Sequence, residues 1–473
     1  MSNSDMRKYT FLMTKKVAIA GAAGFVGLAL IDSLLSNEDI EVFALSRKER
    51  KSSHPRLHWK KADLFSMLDI EKAIRECELV YYLVHSMGPS AHLDQGTFND
   101  YDLILADNFG RACRKLKIDH LIYLGGLIPK DGTLSLHLES RLEVEQAFKN
   151  YISNVIVLRA GIIIGYQGSS FNIMIALLKK APFLLLPPWT SNYTSPIDIR
   201  DVIVALTSFA EEKSFASKNF DLMGDKPLTY RSLFTLGLKA MNRKVPLFSF
   251  GFNLLFLTKR FIKMITGASS RLVYPLIDSL EHSMIAIDPL DLKASPIKLS
   301  DSLRYHYEAI KIHPYRFSLT RPKRKTVRSV QRIIVPEDSN ATQIGKEYMY
   351  WLPKALYPFL RVFVRDEKVY FCFLSKKIIL LRLKHSLERS SHNRQIFYIN
   401  GGLLAAEQER GRLEFRTVLD KGVCLCAIHD FYPALPWYIY KYTQAKVHLL
   451  VMYLFKRHLR LINSGERSWI ATF

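Results

Sequence analysis

One run near the amino end constrains this chain more than any other. Gly21-Ala22-Ala23-Gly24-Phe25-Val26-Gly27 follows the apolar segment Val17–Gly21. It opens a stretch in which Val26, Leu30 and Leu34 recur at helical spacing. Glycines at this spacing between a strand and a helix have separate tasks. The first permits the tight turn, the second lets the backbone approach a diphosphate, and the third lets helix and strand pack closely. The helix start adds unpaired N–H groups and a partial positive charge. Gly21, Ala23, Gly24, Phe25, Val26 and Gly27 are therefore expected to cradle the diphosphate of a dinucleotide.

The surrounding pattern agrees. Short apolar runs at 17–21, 41–46, 79–85, 120–126 and 154–160, with a weaker one at 57–64, alternate with helix-like segments. Near-continuous apolar strands separated by helices predict a parallel sheet covered on both faces, doubly wound, with its ligand crevice at the carboxyl ends of the strands. An NAD binder usually ends its second strand with an acid that holds the ribose. Here that place reads Ser46-Arg47-Lys48. A guanidinium suits a 2′-phosphate, so NADP is the expected cofactor, with NAD as the alternative. Asp63 and Leu64, after the third strand, are placed at the adenine edge, with Asp63 equally suited to cap a helix. Val84, His85 and Ser86, after the fourth, are placed on the nicotinamide side, with Met87 beside them.

The 473 residues carry 67 Lys plus Arg against 44 Asp plus Glu, a formal net charge of +23. Such a chain favours anionic partners. No basic recognition helix or aromatic RNA-binding signature stands out, so nucleic acid is not expected. The five cysteines, Cys77, Cys113, Cys372, Cys424 and Cys426, form no CxxC pair. That fits a reducing, cytoplasmic setting. No zinc spacing and no GxxxxGK[ST] occurs, and no metal is expected. The apolar runs 17–31 and 160–178 are broken by glycines and polar residues, so neither a signal peptide nor a membrane span is predicted.

After residue 160 comes a mixed stretch with a Pro-rich corner and a basic amphipathic segment, Phe248–Ile265, carrying Lys259, Arg260 and Lys263. The run 320–332 holds six basic residues and no acid. It reads as a solvated linker, or as a contact to an anionic surface. From 333 to 473 the chain is rich in aromatics. Strand-like runs fall at 368–374, 377–383, 412–419 and 423–429, and a long helical pattern at 438–461. This predicts an α+β module. The domains are thus expected at 1–319, with a small substrate lobe within 161–319, and at 333–473.

The motifs GAAGFVG (21–27), YYLVHSMG (81–88), IYLGGL (122–127), HLESRLEVE (137–145), LRAGIIIG (158–165), SPIDIRDV (195–202) and GRLEFRTVL (411–419) make the chain resemble an atypical, extended, epimerase-like short-chain dehydrogenase/reductase. The resemblance is to members with a second domain of unknown function, which itself looks START-like (helix-grip). More loosely, the chain is similar to NmrA-like NADP sensors and the nucleotide-binding accessory subunit of respiratory complex I. The resemblance implies a Tyr and a Lys four residues apart on the helix after the fifth strand, with a Ser on that strand. This sequence has His137 and Arg141 at the pair and Gly125-Gly126 at the serine.

Three readings follow from that departure. His137 replaces the general acid, being able to titrate near neutrality, while Arg141 holds the ribose. Or catalysis is lost and Arg141 only retains the nucleotide beside Gly125. Or both lie on a solvated helix face. Asn108 is either structural or a surface residue. Arg159 is expected to line the substrate side, and Arg200 and Asp201 to order the lobe by an ion pair. The expected substrate is a small apolar carbonyl, quinone or lipid-like molecule. The long basic terminal helix is expected to close an apolar cavity or to meet a membrane surface peripherally, at the inner face.

Overall fold

The computed structural model describes residues 14–86, 93–130, 132, 134–212, 215–252, 254–292, 295–317, 326–407, 410–419 and 422–470. The chain divides into two units, residues 1–88 with 105–319 and residues 89–104 with 320–473.

The first unit is a doubly wound α/β domain. Its strands are β1 (Lys15–Ala20), β2 (Ile40–Ser46), β3 (Leu57–Lys61) and β4 (Leu79–Tyr82). A short β5 (Leu93–Gln95) leaves this sheet, which continues with β6 (His120–Gly126), β7 (Asn154–Ala160) and β8 (Lys218–Leu222). The order is β8-β7-β6-β4-β1-β2-β3, parallel throughout. The helices that cover it include α1 (Phe25–Leu35), α2 (Met67–Ile74), α3 (Phe98–Leu116) and α4 (Leu136–Lys149). Val17, Ile19, Tyr81 and Ile122 are wholly buried. An aliphatic side chain so buried contributes roughly 1.5–3 kcal/mol.

A small lobe follows, built mainly from α5 (Ser169–Lys180), α7 (Tyr230–Ala240), α8 (Leu255–Thr266), α9 (Ser270–Ser279) and α10 (Leu299–Ile312). Its own apolar core includes Phe171, Leu178, Leu233 and Val273. Between them in sequence, α6 (Ile199–Ser208) packs on α1. Asp198 caps α6 and also accepts from Ser302 Oγ (2.6 Å) and His306 Nε2 (3.2 Å) on α10. Arg200 pairs with this Asp198 (2.8 Å) rather than serving with Asp201, whose carboxylate takes the Ile297 N–H (3.0 Å).

The second unit is an eight-stranded sheet with helices. Its strands are β9 (Val327–Ile334), β10 (Leu360–Arg365), β11 (Lys368–Phe373), β12 (Ile379–His385), β13 (Arg394–Ile399), β14 (Arg412–Val418) and β15 (Val423–Phe431). The order is β10-β11-β12-β13-β14-β15-β9-β5, antiparallel except for the β9–β5 pair. The helices are α11 (Ala341–Ala355), α12 (Trp437–Tyr442) and α13 (Gln444–Asn463). A reciprocal cap between Asn340 and Gln343 starts α11. A buried Glu347–His458 pair (2.7 Å) ties α11 to α13. Where the sequence predicted an apolar cavity under the terminal helix, aromatic rings meet: Tyr348 packs on Phe415 and Phe455, and Trp351 on Phe455, at 5.0–5.3 Å between centroids.

Two sequence expectations about organisation are corrected. The boundary at 319 omits residues 89–104, which group with the second unit through β5 and the start of α3. The basic run is not wholly a solvated linker. Residues 320–325 lie outside the described residues, but the rest enters β9, where Arg328 is buried and pairs with Asp430 (3.1 Å) and Arg332 pairs with Asp100 (2.8 Å). The neutralising carboxylates stand far away in sequence, so the run reads as exposed until the strands pair. All five cysteines are buried and free. Among the described residues no helix is long and apolar enough to cross a membrane.

Candidate nucleotide-binding site

The turn after β1 needs its glycines for measurable reasons. Gly21 has φ +88°, a conformation side chains rarely adopt, and a Cβ there would stand 2.9 Å from the Leu83 backbone. A Cβ on Gly27 would stand 2.4 Å from the Gly21 carbonyl oxygen. Gly24 donates back to that oxygen (2.9 Å) and begins α1, whose first intrahelical bond is Leu28 N–H to Gly24 O (3.0 Å). The N–H groups of Phe25, Val26 and Gly27 precede that bond, no side chain caps this helix start, and no acid lies in its first turn. A bare, positively polarised backbone at the carboxyl edge of a parallel sheet fits a diphosphate. The Phe25 side chain has another task. Its ring lies so close to the Gly165–Gly168 turn that a Cβ on Gly165 would meet it at 2.2 Å.

The flanking loops are positioned by the same edge. Arg47 and Lys48 are exposed beyond β2, and the buried Ser46 accepts the Lys48 N–H on its Oγ (3.2 Å). Asp63 accepts the Phe65 N–H (3.1 Å), while Ser66 caps α2. Leu64 is held from behind, because buried Asn108 on α3 donates to its carbonyl (2.9 Å). That settles Asn108 as a structural residue of the loop.

β4 lies between β1 and β6, so the segments after these strands emerge side by side. Leu83 N–H donates to Ala20 O (2.9 Å), which sets Leu83 against the Gly21 turn, and Val84, His85 and Ser86 follow it. Ser135 caps α4, and one turn of helix puts His137 and Arg141 on one side. The His137 and His85 rings are 5.1 Å apart between centroids, and both residues are half-buried. Arg141 Nη1 donates to the hydroxyl of buried Tyr123 (3.4 Å). A Cβ on Gly125 would stand 3.1 Å from the Tyr123 ring, so this phenol crowds the place where a reductase's Ser would sit.

The structure thus brings together the glycine turn, His85, Gly125, His137 and Arg141 at one edge. Arg159, expected on the substrate side, is engaged elsewhere. That guanidinium is clamped on buried Glu145 (2.9 Å), which also holds Lys149 (2.8 Å). The His85–His137 contact and the role of Tyr123 escaped the sequence reading, because both depend on the order of strands β4 and β6 rather than on local pattern.

A second concavity lies in the small lobe. A cavity of about 770 Å³ is lined by apolar side chains, among them Leu177, Trp189, Phe234, Phe261 and Tyr274. Its size is within the range of small-molecule pockets.

Comparison with known proteins agrees with the nucleotide edge. Residues 21–153 match the NAD(P)H-binding family. The Auxiliary protein GraX of Staphylococcus aureus is 29% identical over 116 residues, 24% of this chain and 37% of that protein. The match therefore spans well under half the length of that relative. Among solved structures, UDP-glucuronic acid 4-epimerase from Bacillus cereus, in complex with UDP-glucuronic acid and NAD, is 16% identical with a TM-score of 0.45. It covers 63% of this chain and 99% of its own. WbmH of Bordetella bronchiseptica, in complex with NAD+, is 11% identical with a TM-score of 0.47, covering 64% and 99%. The first unit thus has a Rossmann-like fold, and the segment that carries its glycine cradle is similar to NAD(P)H-binding domains.

Proposed function

We propose that this protein is an NADP-preferring oxidoreductase of the short-chain dehydrogenase/reductase type, acting on an apolar carbonyl, quinone or lipid-like molecule. The observation that carries the reading is the meeting of His137 with His85 beside Arg141, at the sheet edge that bears the glycine cradle. The backbone of 21–27 and the start of α1 would hold the diphosphate, and Arg47 the 2′-phosphate. When bound, the nicotinamide supplies or accepts the hydride. His137 gives a proton to the substrate oxygen, and an imidazole suits that task near neutral pH. Arg141, fixed by Tyr123, anchors the ribose and keeps a positive charge near the developing oxyanion. The apolar cavity of the small lobe supports the substrate class.

The test is NADPH oxidation against a carbonyl and quinone panel. His137→Ala is expected to lower turnover about 10²–10⁴-fold while leaving NADPH affinity unchanged. Unchanged turnover would remove the role. Tight nucleotide binding without turnover on any substrate would instead establish a second reading, a non-catalytic nucleotide-binding scaffold or redox sensor. That reading draws on the Tyr123 phenol being committed to Arg141, and on the similarity to a protein named as auxiliary. For the second unit, an antiparallel sheet packed against a long helix supports a START-like reading.

A further inference from the structure

From Lys226 to Ile277 the chain has no Asp or Glu, yet it carries Arg243, Lys244, Lys259, Arg260, Lys263 and Arg271 among its basic residues. The same stretch displays large apolar side chains in water. Phe252 is 73% exposed, Phe256 65% and Met264 75%, with Phe248, Leu254 and Leu257 also exposed. A buried side holds α8 to the lobe through Ile262 and Thr266, so this is an amphipathic helix lying on the surface with its second face also apolar. Arg260 stacks over the Phe256 ring at 5.5 Å, so an aromatic and a cation project together. Lys259 is neutralised by Asp278, whereas Arg260 and Lys263 stand exposed. An apolar patch on which Arg260 and Lys263 stay exposed, the Asp278 carboxylate being taken up by Lys259, is costly to leave in water and is complementary to an anionic lipid surface.

The cavity adds direction. Leu185, Leu254, Leu257 and Met264 are exposed and also line it, so its mouth opens on this same face. We propose that α8, with Phe248 and Phe252 before it, docks on an anionic phospholipid bilayer, with Phe252, Phe256 and Met264 entering the interface and Arg260 and Lys263 meeting lipid phosphates. The cavity mouth then faces the acyl layer, and an apolar molecule reaches it without crossing water. This docking stands whether or not the nucleotide site turns over.

The experiment is sedimentation of the full chain with vesicles of phosphatidylcholine alone or with 30% phosphatidylglycerol. Binding is expected to the anionic vesicles, to fall at least tenfold in 0.5 M NaCl, and to survive 10 mM inorganic phosphate in place of an equal amount of salt. Phe252→Asp with Phe256→Asp is expected to weaken it at least tenfold, and Arg260→Glu with Lys263→Glu likewise, each with NADPH affinity intact. The charge-reversed pair keeps the test open if the first pair misfolds. Equal partition onto neutral and anionic vesicles, no partition onto either, or wild-type binding by a folded variant would overturn the proposal. So would a dimer in solution that either substitution abolishes.

Discussion

In the first unit the central strands β1, β4 and β6 present Val17, Ile19, Tyr81 and Ile122 to the interior and bury no charged side chain. In the second unit β14 alternates differently. Leu413 and Phe415 join the apolar core on one face, while Arg412, Glu414 and Arg416 are buried on the other. Glu414 pairs with Arg394 (2.7 Å), with Arg416, and at longer range with Arg412 (3.6 Å) and His429 (3.7 Å). One unit keeps charge off its central strands, with its ion pairs such as Glu145–Arg159 and Asp198–Arg200 placed elsewhere, and offers bare backbone to a ligand. The other stakes its stability on charges that must find each other. A buried ion pair is seldom worth more than the apolar packing it displaces, but removing one partner is expensive.

That contrast can be broken at its strongest point by Glu414→Ala. It leaves arginines buried beside a missing carboxylate and is expected to destabilise the second unit by about 3–5 kcal/mol, read by denaturant unfolding. NADPH titration of the folded protein should be unchanged. If the substitution is neutral, the network carries little and the contrast fails. Next in size is Gly27→Val, whose Cβ has no room beside the Gly21 carbonyl. A loss of NADPH affinity of at least about a hundredfold, about 3 kcal/mol, is expected in fluorescence titration.

The units should also part company in acid. In the second unit, burial first and then Arg412 hold His429 well below the ordinary imidazole value. The unfolded chain therefore takes up a proton that the folded one refuses. The stability His429 contributes is complete above about pH 6.5 and lost as pH falls below it. Burial alone would raise Glu414, but Arg394 and Arg416 hold it low, so its share is lost only below about pH 4.3. In the first unit burial likewise opposes ionisation of Asp198, but Arg200, His306 and Ser302 together hold it low. Its share persists down to about pH 3.9. Hydrogen exchange between pH 7 and 4.5, corrected for intrinsic rates, should show β13–β15 opening before β1, β4 and β6. The smallest effect concerns cofactor choice. Arg47→Ala is expected to weaken NADPH about tenfold, about 1.4 kcal/mol, and to leave NADH unchanged.

The sequence was most readable where the physics is local. The glycine turn, the six apolar runs of the first sheet and the terminal helix follow from sterics and periodicity within a few residues. The absence of buried charge on β1 and β4 made those runs unambiguous. In the second unit the pattern misled where burial depends on a distant partner. Arg328 and Arg332 look solvated until Asp430 and Asp100 arrive, and β5 is three residues long with no periodicity to detect. The candidate site divides in the same way. The cradle is legible, whereas the approach of His85 to His137 and the crowding of Gly125 by Tyr123 exist only once β4 and β6 are neighbours.

The excursion of residues 89–104 into the second sheet has a practical consequence. A truncation at 320 would not cleave the protein into two autonomous halves. The downstream fragment would lack β5, so the Val327–Ser329 start of β9 would lose its outer partner, and it would forfeit the Tyr101 hydroxyl bond to the Arg328 carbonyl (3.2 Å) and the Arg332–Asp100 pair. Such a fragment is a candidate for aggregation through its bare margin. A tethered version carrying 89–104 on a linker is the form in which that half should be expressed.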